Sequence, residues 1–167
     1  VVGSVLVRAL RDQHHDKVAV VTRDRQKAEY TLGSKTAYIE YGGGSFKAEI
    51  VKFSPDVVIH LAAYSTSHDD LGNIRKLIDS NILFTSILLD ALKETTLDLF
   101  INTGSFAEYL SSNEILNPAY FYAATKTASR AIIKYYKNLI GMKFCNIIPY
   151  TIYGKRSFSK KAIDLMV

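Results

Sequence analysis

The sequence contains a single cysteine and no cluster of metal-binding residues. Cys145 lies in the apolar run FCNIIPY, and one thiol excludes both an internal disulfide and a cysteine-based metal site. We therefore expect Cys145 to pack in a core, which suits a reducing cytoplasm. The run His68-Asp69-Asp70 has the residue types of a metal site, but it joins a predicted strand to a predicted helix, where such residues more often cap the helix. No metal site is predicted.

The sequence also lacks long apolar runs. No stretch reaches the roughly 18 apolar residues that a membrane-spanning helix needs. No charged segment followed by an apolar one stands at the start of the sequence. Neither a membrane span nor a signal peptide is expected from this pattern.

A basic tail is missing too, although the net charge is +5. Lysine and arginine are spread along the 167 residues without an aromatic-basic RNA-binding motif, which argues against a nucleic-acid partner. A positive charge of this kind suits an anionic small molecule such as a nucleotide. Apolar residues make up 48% and charged residues 22%, which is typical of one globular domain, and we assign residues 1–167 to it.

Short apolar runs alternate with helical patterns along the chain. The predicted strands are 17–23, 36–41, 56–63, 97–105 and 142–154, and the predicted helices are 1–13, 46–53, 74–94 and 117–141. Strands that alternate with helices are joined by parallel crossovers. The sequence therefore predicts an α/β fold with a doubly wound parallel sheet.

Both ends of the sequence fall inside helical patterns. The first helix has Gly3 in its first turn, which predicts a preceding strand and glycine turn, and the last residues, KKAIDLMV, stop partway through another helical pattern. We therefore expect the domain to be incomplete at both ends, with its first strand and most of a C-terminal part missing.

Ligands of doubly wound sheets bind at the carboxyl ends of the strands. Here that rule selects the segments after Val21, Leu61, Ile101 and Pro149. The first of these reads Thr22-Arg23-Asp24-Arg25. A carboxylate at this position is typical of NAD sites, whereas arginines such as Arg23 and Arg25 suit the 2′-phosphate of NADP. The same residues also fit a solvated loop that places Asp24 between two arginines.

Tyr122 and Lys126 lie four residues apart in the helical segment NPAYFYAATKTAS, and Ser105 follows the strand before it. At this spacing the two side chains share one helix face. A nearby ammonium is expected to lower the pKa of the phenol from its ordinary value of about 10, so that Tyr122 exchanges a proton with a hydroxyl or carbonyl oxygen. The alternative is an aromatic ring packed beside a lysine stem.

Five segments of the chain match successive blocks of one family in the same order. They are PDVVIHLAAYS, DSNILFTSILLDALK, FINTGSFAEY, YFYAATKTASR and IIPYTIYG. The chain thereby resembles the extended short-chain dehydrogenases/reductases, a family of nucleotide-sugar epimerases, dehydratases and reductases. The resemblance implies a Rossmann domain that binds NADP or NAD.

The resemblance assigns roles to individual residues. It makes Tyr122 the general acid/base, Lys126 its partner and a ligand of the cofactor ribose, and Ser105 the third catalytic residue. The other residues that it places at the cofactor are Gly3, Ala62, Ala63, Asn81 and Ile152. It also implies a homodimer through the two long helices.

One departure from the family narrows the expected reaction. The 4,6-dehydratases usually read Thr-Asp-Glu where this chain has Ser105-Phe106-Ala107, and Phe106 and Ala107 cannot supply the acid and base that an elimination needs. The sequence around Ser105 and Tyr122 is most similar to that of reductases of the CDP-abequose and CDP-paratose synthase type. This resemblance implies NADPH-dependent reduction of a 4-keto-deoxyhexose on a nucleotide carrier. The alternatives are a 4-epimerase of the same family and a non-catalytic NADP-binding sensor or scaffold.

Overall fold

The structure is a computed structural model that describes residues 2–14, 17–111, 115–150 and 152. The chain divides into two compact units, one built from the residues up to Phe53 and the other comprising Ser54–Tyr150. No helix in the described ranges is long and apolar enough to cross a membrane.

The described residues of the first unit form two parallel strands and three helices. Its elements are α1 (Val2–His14), β1 (Ala19–Thr22), α2 (Arg25–Leu32), β2 (Ala37–Glu40) and α3 (Phe46–Phe53). The strands pair in parallel from Ala19↔Ala37 to Thr22↔Glu40. Its buried apolar residues are Leu32, Tyr38, Ile39, Phe46 and Ile50. The predicted strands and the helices α1 and α3 are confirmed.

Helix α2 was not expected, because the sequence has no apolar stripe there. Polar interactions define the helix instead: the Asp24 carboxylate caps its N-terminus by accepting from the Lys27 backbone N–H at 2.9 Å. Arg25 pairs with Glu29 one turn later, and the helix ends at Gly33, which adopts a φ of +81°. The aspartate cap, the i,i+4 ion pair and the glycine were the signals available in the sequence.

The second unit contains a three-stranded parallel sheet with long helices. Its elements are β3 (Val57–His60), α4 (Leu71–Leu77), a π-helical segment (Ile78–Leu83), α5 (Phe84–Leu92), β4 (Leu99–Thr103), a 3₁₀ turn (Phe106–Glu108), α6 (Phe121–Ile140) and β5 (Lys143–Ile147). The strand order is β3-β4-β5, with β4 in the centre. The predicted α/β fold with parallel strands is confirmed.

The helix that follows β3 runs from Leu71 to Leu92 through the π-helical segment. It begins after Asp70, whose carboxylate accepts from the backbone N–H groups of Gly72 at 3.0 Å and Asn73 at 3.1 Å. The predicted capping role of this acidic run is therefore confirmed for Asp70. Along the helix the buried side chains are Leu77, Asn81, Phe84, Thr85, Leu88, Leu89, Ala91 and Leu92.

The prediction that Cys145 packs in a core is wrong. Cys145 is exposed, because alternate residues of β5 point to opposite faces of the sheet and Lys143, Cys145 and Ile147 share the exposed face. An apolar run therefore did not distinguish a strand covered on both faces from one covered on a single face.

A glycine at the carboxyl end of β4 allows close packing against β5. The Gly104 N–H donates to the Ile147 carbonyl at 2.8 Å. A Cβ atom at Gly104 would lie 2.8 Å from both Asn146 Nδ2 and Glu108 Oε1, which is shorter than van der Waals contact. Gly104 therefore lets the chain turn out of β4 in close contact with the side chain of Asn146 and the buried side chain of Glu108.

We predict that Gly104→Ala destabilises the protein by about 1–3 kcal/mol, because the added methyl group must displace Asn146 or Glu108. Urea unfolding measures the free energy of unfolding. Gly44→Ala is the matched control, since a Cβ there meets nothing within 4 Å, and its effect is expected to stay within about 0.5 kcal/mol. Equal effects of the two variants would contradict the packing role of Gly104.

Candidate active site

Ser105 stands at the N-terminus of the 3₁₀ turn that follows β4. Its backbone is extended, its hydroxyl accepts from the Ala107 N–H at 3.3 Å, and its own N–H donates to Glu108 Oε1 at 2.8 Å. These reciprocal bonds form a capping box. The serine is thereby held at the carboxyl end of the central strand, where the sequence predicted it.

The segment before α6 is fixed to this turn by backbone hydrogen bonds. The Asn117 N–H donates to the Glu108 carbonyl, the Leu110 N–H to the Asn117 carbonyl and the Ala119 N–H to the Ala107 carbonyl, each at 2.9 Å. The predicted helix start at residue 117 is therefore wrong, and α6 begins at Phe121. The pairing carries the first turn of α6, with Tyr122, to the side of Ser105.

Tyr122 is half-buried, and the hydroxyls of Ser65 and Ser105 lie close enough to its phenol to act on its pKa. Its ring stacks on Tyr120 with the centroids 6.0 Å apart. The pKa of Tyr122 is raised above its ordinary value, first by burial and then by Tyr120 and Glu108, while the two serines act in the opposite direction. The phenol is therefore protonated at neutral pH.

Ser65 was missed in the sequence. It lies five residues beyond the end of β3, in the segment LAAYS, and its side chain reaches the same phenol as Ser105. A hydroxyl residue shortly after the carboxyl end of a parallel strand was the available signal.

Lys126 is buried, with 3% of its surface exposed. Burial lowers its pKa to about 8, while the carboxylate of Glu108 acts in the opposite direction. Within the described residues the ammonium has no hydrogen-bond or ion-pair partner. Lys126 thus offers an unused donor from the interior of the site.

The expected lowering of the Tyr122 pKa by Lys126 is wrong for this structure. The two residues lie four apart on α6 as predicted, but burial is the largest influence on the phenol and raises its pKa. The spacing of two residues on a helix predicts that they share a face. Their pKa values depend in addition on how far tertiary packing excludes water from both groups, which the spacing does not reveal.

The loop after β3 is held in place by Asn81. The Asn81 side chain accepts from the Tyr64 N–H at 2.8 Å and donates to the Tyr64 carbonyl at 3.0 Å and to Thr125 Oγ1 at 2.9 Å. Asn81 is 1% exposed, so its whole amide group is used inside the protein. Asn81 therefore positions the loop. Ala62 and Ala63, which precede Tyr64 in this loop, are exposed.

A buried polar chain lies beneath the site. His60 Nδ1 is 3.0 Å from Asn102 Oδ1, and Asn102 Nδ2 donates to Asn146 Oδ1 at 2.7 Å. Burial lowers the pKa of His60 to about 4, so the imidazole is neutral. His60 is therefore a hydrogen-bonded histidine of the core.

Aromatic residues follow Ser105. Phe106 is half-exposed and stacks on Tyr150 with centroids 5.7 Å apart and planes 5° apart. These two residues line a cavity of about 190 Å³ together with Tyr109 and Ile148. Ala107 is buried. The two residues that follow Ser105, Phe106 and Ala107, therefore offer neither an acid nor a base.

The predicted phosphate clamp lies in the first unit and is only half available. Arg23, Asp24 and Arg25 border an open cleft of about 470 Å³ at the carboxyl end of β1. Arg25 Nε is held by Glu29 Oε1 at 2.8 Å, whereas Arg23 is exposed and makes no ion pair in the described part of the chain. Of the two arginines, Arg23 is the one that can take an anion without breaking an existing pair.

The remaining predicted cofactor residues are placed as follows. Gly3 lies in the first turn of α1, and Ile152 is half-exposed. Within the second unit, small exposed residues after β3 and the ammonium of Lys126, which has no partner among the described residues, suit the backbone and the hydroxyls of a dinucleotide. Within the first unit, the cleft beside Arg23 suits a phosphate.

Two curated proteins are similar to this chain over most of its length. CDP-abequose synthase of Yersinia pseudotuberculosis is 29% identical over 142 residues, which cover 84% of this chain and 49% of that protein. UDP-glucose 4-epimerase of Mycolicibacterium smegmatis is 26% identical over 173 residues, covering 93% of this chain and 54% of that protein. The chain thus spans about half the length of the curated relatives that it matches.

Solved structures show the same fold. UDP-glucuronic acid 4-epimerase of Bacillus cereus, in complex with NAD and a fluorinated UDP-sugar, superposes with a TM-score of 0.80 at 22% identity, covering 98% of this chain and 58% of that one. The sequence also matches the NAD dependent epimerase/dehydratase family over residues 1–167. The protein is thus a member of the NAD-dependent epimerase/dehydratase family.

Proposed function

We propose that this protein reduces the 4-keto group of a nucleotide-linked deoxyhexose with NADPH. The observation that carries the proposal is the protonated phenol of Tyr122 beside the hydroxyl of Ser105. Reduction of a carbonyl requires a proton donor at the carbonyl oxygen, and a phenol with a raised pKa is in that form at neutral pH.

Each residue of the site has a distinct task in this reaction. The nicotinamide, when bound, supplies the hydride. Tyr122 gives its proton to the substrate oxygen, while the Ser105 hydroxyl donates a hydrogen bond to the same oxygen and fixes its position. The buried ammonium of Lys126 donates to a ribose hydroxyl.

The residues next to Ser105 favour reduction over elimination. Phe106 and Ala107 carry no group that could protonate a leaving hydroxyl or remove a proton from a neighbouring carbon. The similarity to a CDP-abequose synthase points the same way. A 4-epimerase must first take a proton from a hydroxyl, a step that the raised pKa of Tyr122 disfavours.

We predict that Tyr122→Phe lowers kcat by about 10²–10⁴-fold, because the proton donor is lost. The substrates are 4-keto-6-deoxyhexoses on CDP or dTDP, and the measurement is the loss of NADPH absorbance. Tyr30→Phe is the matched control, since Tyr30 is an almost fully exposed tyrosine of α2 that lies outside the proposed dimer contact. NADPH affinity is measured in parallel by fluorescence and should change little.

The outcomes separate the candidate functions. Interconversion of nucleotide sugars without net NADPH consumption would identify an epimerase. Cofactor binding with no turnover by the parent protein would identify a sensor. Equal loss of turnover and of NADPH affinity in Tyr122→Phe would assign the tyrosine a structural role.

The preference for NADP over NAD rests on Arg23 in our proposal. A charge-assisted hydrogen bond to a phosphate contributes about 1.5–3 kcal/mol. We predict that Arg23→Gln weakens NADPH binding by about 10- to 100-fold and leaves NADH binding unchanged, as measured by calorimetry. Lys27→Gln, an exposed cation of α2, serves as the control. A parent protein that binds NADH more tightly than NADPH would contradict the preference.

A homodimer through the two long helices is part of the same proposal. Leu83 and Ile87 are exposed one turn apart on the helix that follows β3, and Tyr135 and Leu139 are exposed one turn apart on α6. Apolar pairs at this spacing form stripes that are suited to helix packing.

We predict that Ile87→Lys converts the dimer to a monomer, because it places a charge within an apolar contact. Sedimentation equilibrium measures the mass. Tyr30→Lys is the control, since Tyr30 is 94% exposed on α2 in the other unit. A parent protein that sediments as a monomer would refute the dimer.

A further inference from the structure

Glu108 is a fully buried carboxylate next to the proposed catalytic residues. It has no exposed surface and stands where the 3₁₀ turn meets α6. Oε1 accepts from the Ser105 N–H at 2.8 Å, and Oε2 accepts from Thr127 Oγ1 at 3.2 Å. A buried charge is retained only where such partners compensate for lost hydration.

Arg130 supplies the countercharge. Its Nη2 lies 3.1 Å from Glu108 Oε2, close enough for an ion pair although not aligned for a hydrogen bond. Its Nη1 donates to the Tyr109 hydroxyl at 2.7 Å, which fixes the guanidinium on the far side of the carboxylate. The anion is thereby held in one position between Ser105 and α6.

We infer that Glu108 is a positioning residue which keeps the ammonium of Lys126 and the phenol of Tyr122 protonated and thereby biases the site towards proton donation. The inference rests on the proposed reductase function. Its geometric basis is the carboxylate fixed by Ser105, Thr127 and Arg130 at the junction that carries both groups.

The charges around the site agree with this role. Glu108 acts on both groups in the same direction: it raises the pKa of Lys126 against the effect of burial, and it raises the pKa of Tyr122. His60 from β3, which is neutral, also interacts with Lys126, and Arg130, one turn further along α6, carries the charge that pairs with Glu108. From the π-helical segment the neighbouring group is the neutral amide of Asn81, bonded to Thr125.

A protonated site favours one direction of the chemistry. Reduction uses the phenol as an acid, so its rate falls as the pH rises and the site loses its protons. Oxidation uses the phenolate as a base and gains rate over the same range. A fixed anion beside the site shifts this balance towards reduction.

The decisive experiment is Glu108→Gln in the full-length protein, with lysines labelled with ¹³C at Cε. The Lys126 resonance is assigned with Lys126→Met, and its pH titration is followed by NMR without substrate. We expect the midpoint to move to lower pH, so that at the parent's midpoint the ratio of ammonium to amine falls by about threefold or more. An unchanged midpoint overturns the inference. Because no sugar is present, this result is independent of the proposed reaction.

Turnover provides the second measurement. With a 4-keto sugar and NADPH, the alkaline limb of the rate profile should move to lower pH in Glu108→Gln, whereas a structural defect would lower the rate equally at every pH. Glu108→Asp keeps the charge, so its alkaline limb should lie at the same pH as that of the parent protein. Asp98→Asn, which removes a carboxylate at the amino end of β4, is the control.

The glutamine variant leaves Arg130 without its countercharge. If it fails to fold, the double variant of Glu108→Gln with Arg130→Met is compared with Arg130→Met alone, so that only the carboxylate differs between the two proteins. Equal Lys126 titration midpoints in these two proteins also overturn the inference.

Discussion

Three backbone hydrogen bonds between residues 117–119 and residues 107–110 decide where the candidate chemistry lies. They stop α6 from starting at residue 117 and place its first turn against the carboxyl end of β4. The hydroxyl of Ser105 and the phenol of Tyr122 come together through this contact. The central strand supplies one partner and the following helix the other, so the site is a product of the β4-to-α6 crossover.

Burial controls the electrostatics of the same region. It lowers the pKa of Lys126 to about 8 and raises the pKa of Tyr122. The two shifts have opposite signs because the exclusion of water disfavours the charged form of each group, and the charged forms are the protonated lysine and the deprotonated tyrosine. Glu108 opposes this effect at the lysine and reinforces it at the tyrosine. The capping box that orients Ser105 and the charge that acts on Lys126 thus belong to one side chain.

Local hydrogen bonds hold different polar side chains in the two units. Near β3, Asn81 works through the loop that it anchors, and the exposed surface is left to Ala62 and Ala63. Near β1, the start of α2 uses Asp24 as a cap and Arg25 in an ion pair, which leaves Arg23 for an anion. Local hydrogen bonding therefore decides which of several plausible ligands remain free.

The sequence by itself determined the α/β class, the strand and helix positions with clear apolar periodicity, and the family, because these follow from local patterns and ordered motifs. It did not reveal α2, which has no apolar stripe, or the exposure of Cys145, because a short apolar run does not say which faces of a strand are covered. The pKa of Tyr122, the contact with Ser65 and the place of Glu108 were decided only by the tertiary structure. Each depends on how much water is excluded and on which side chains, distant in sequence, meet at the end of a strand.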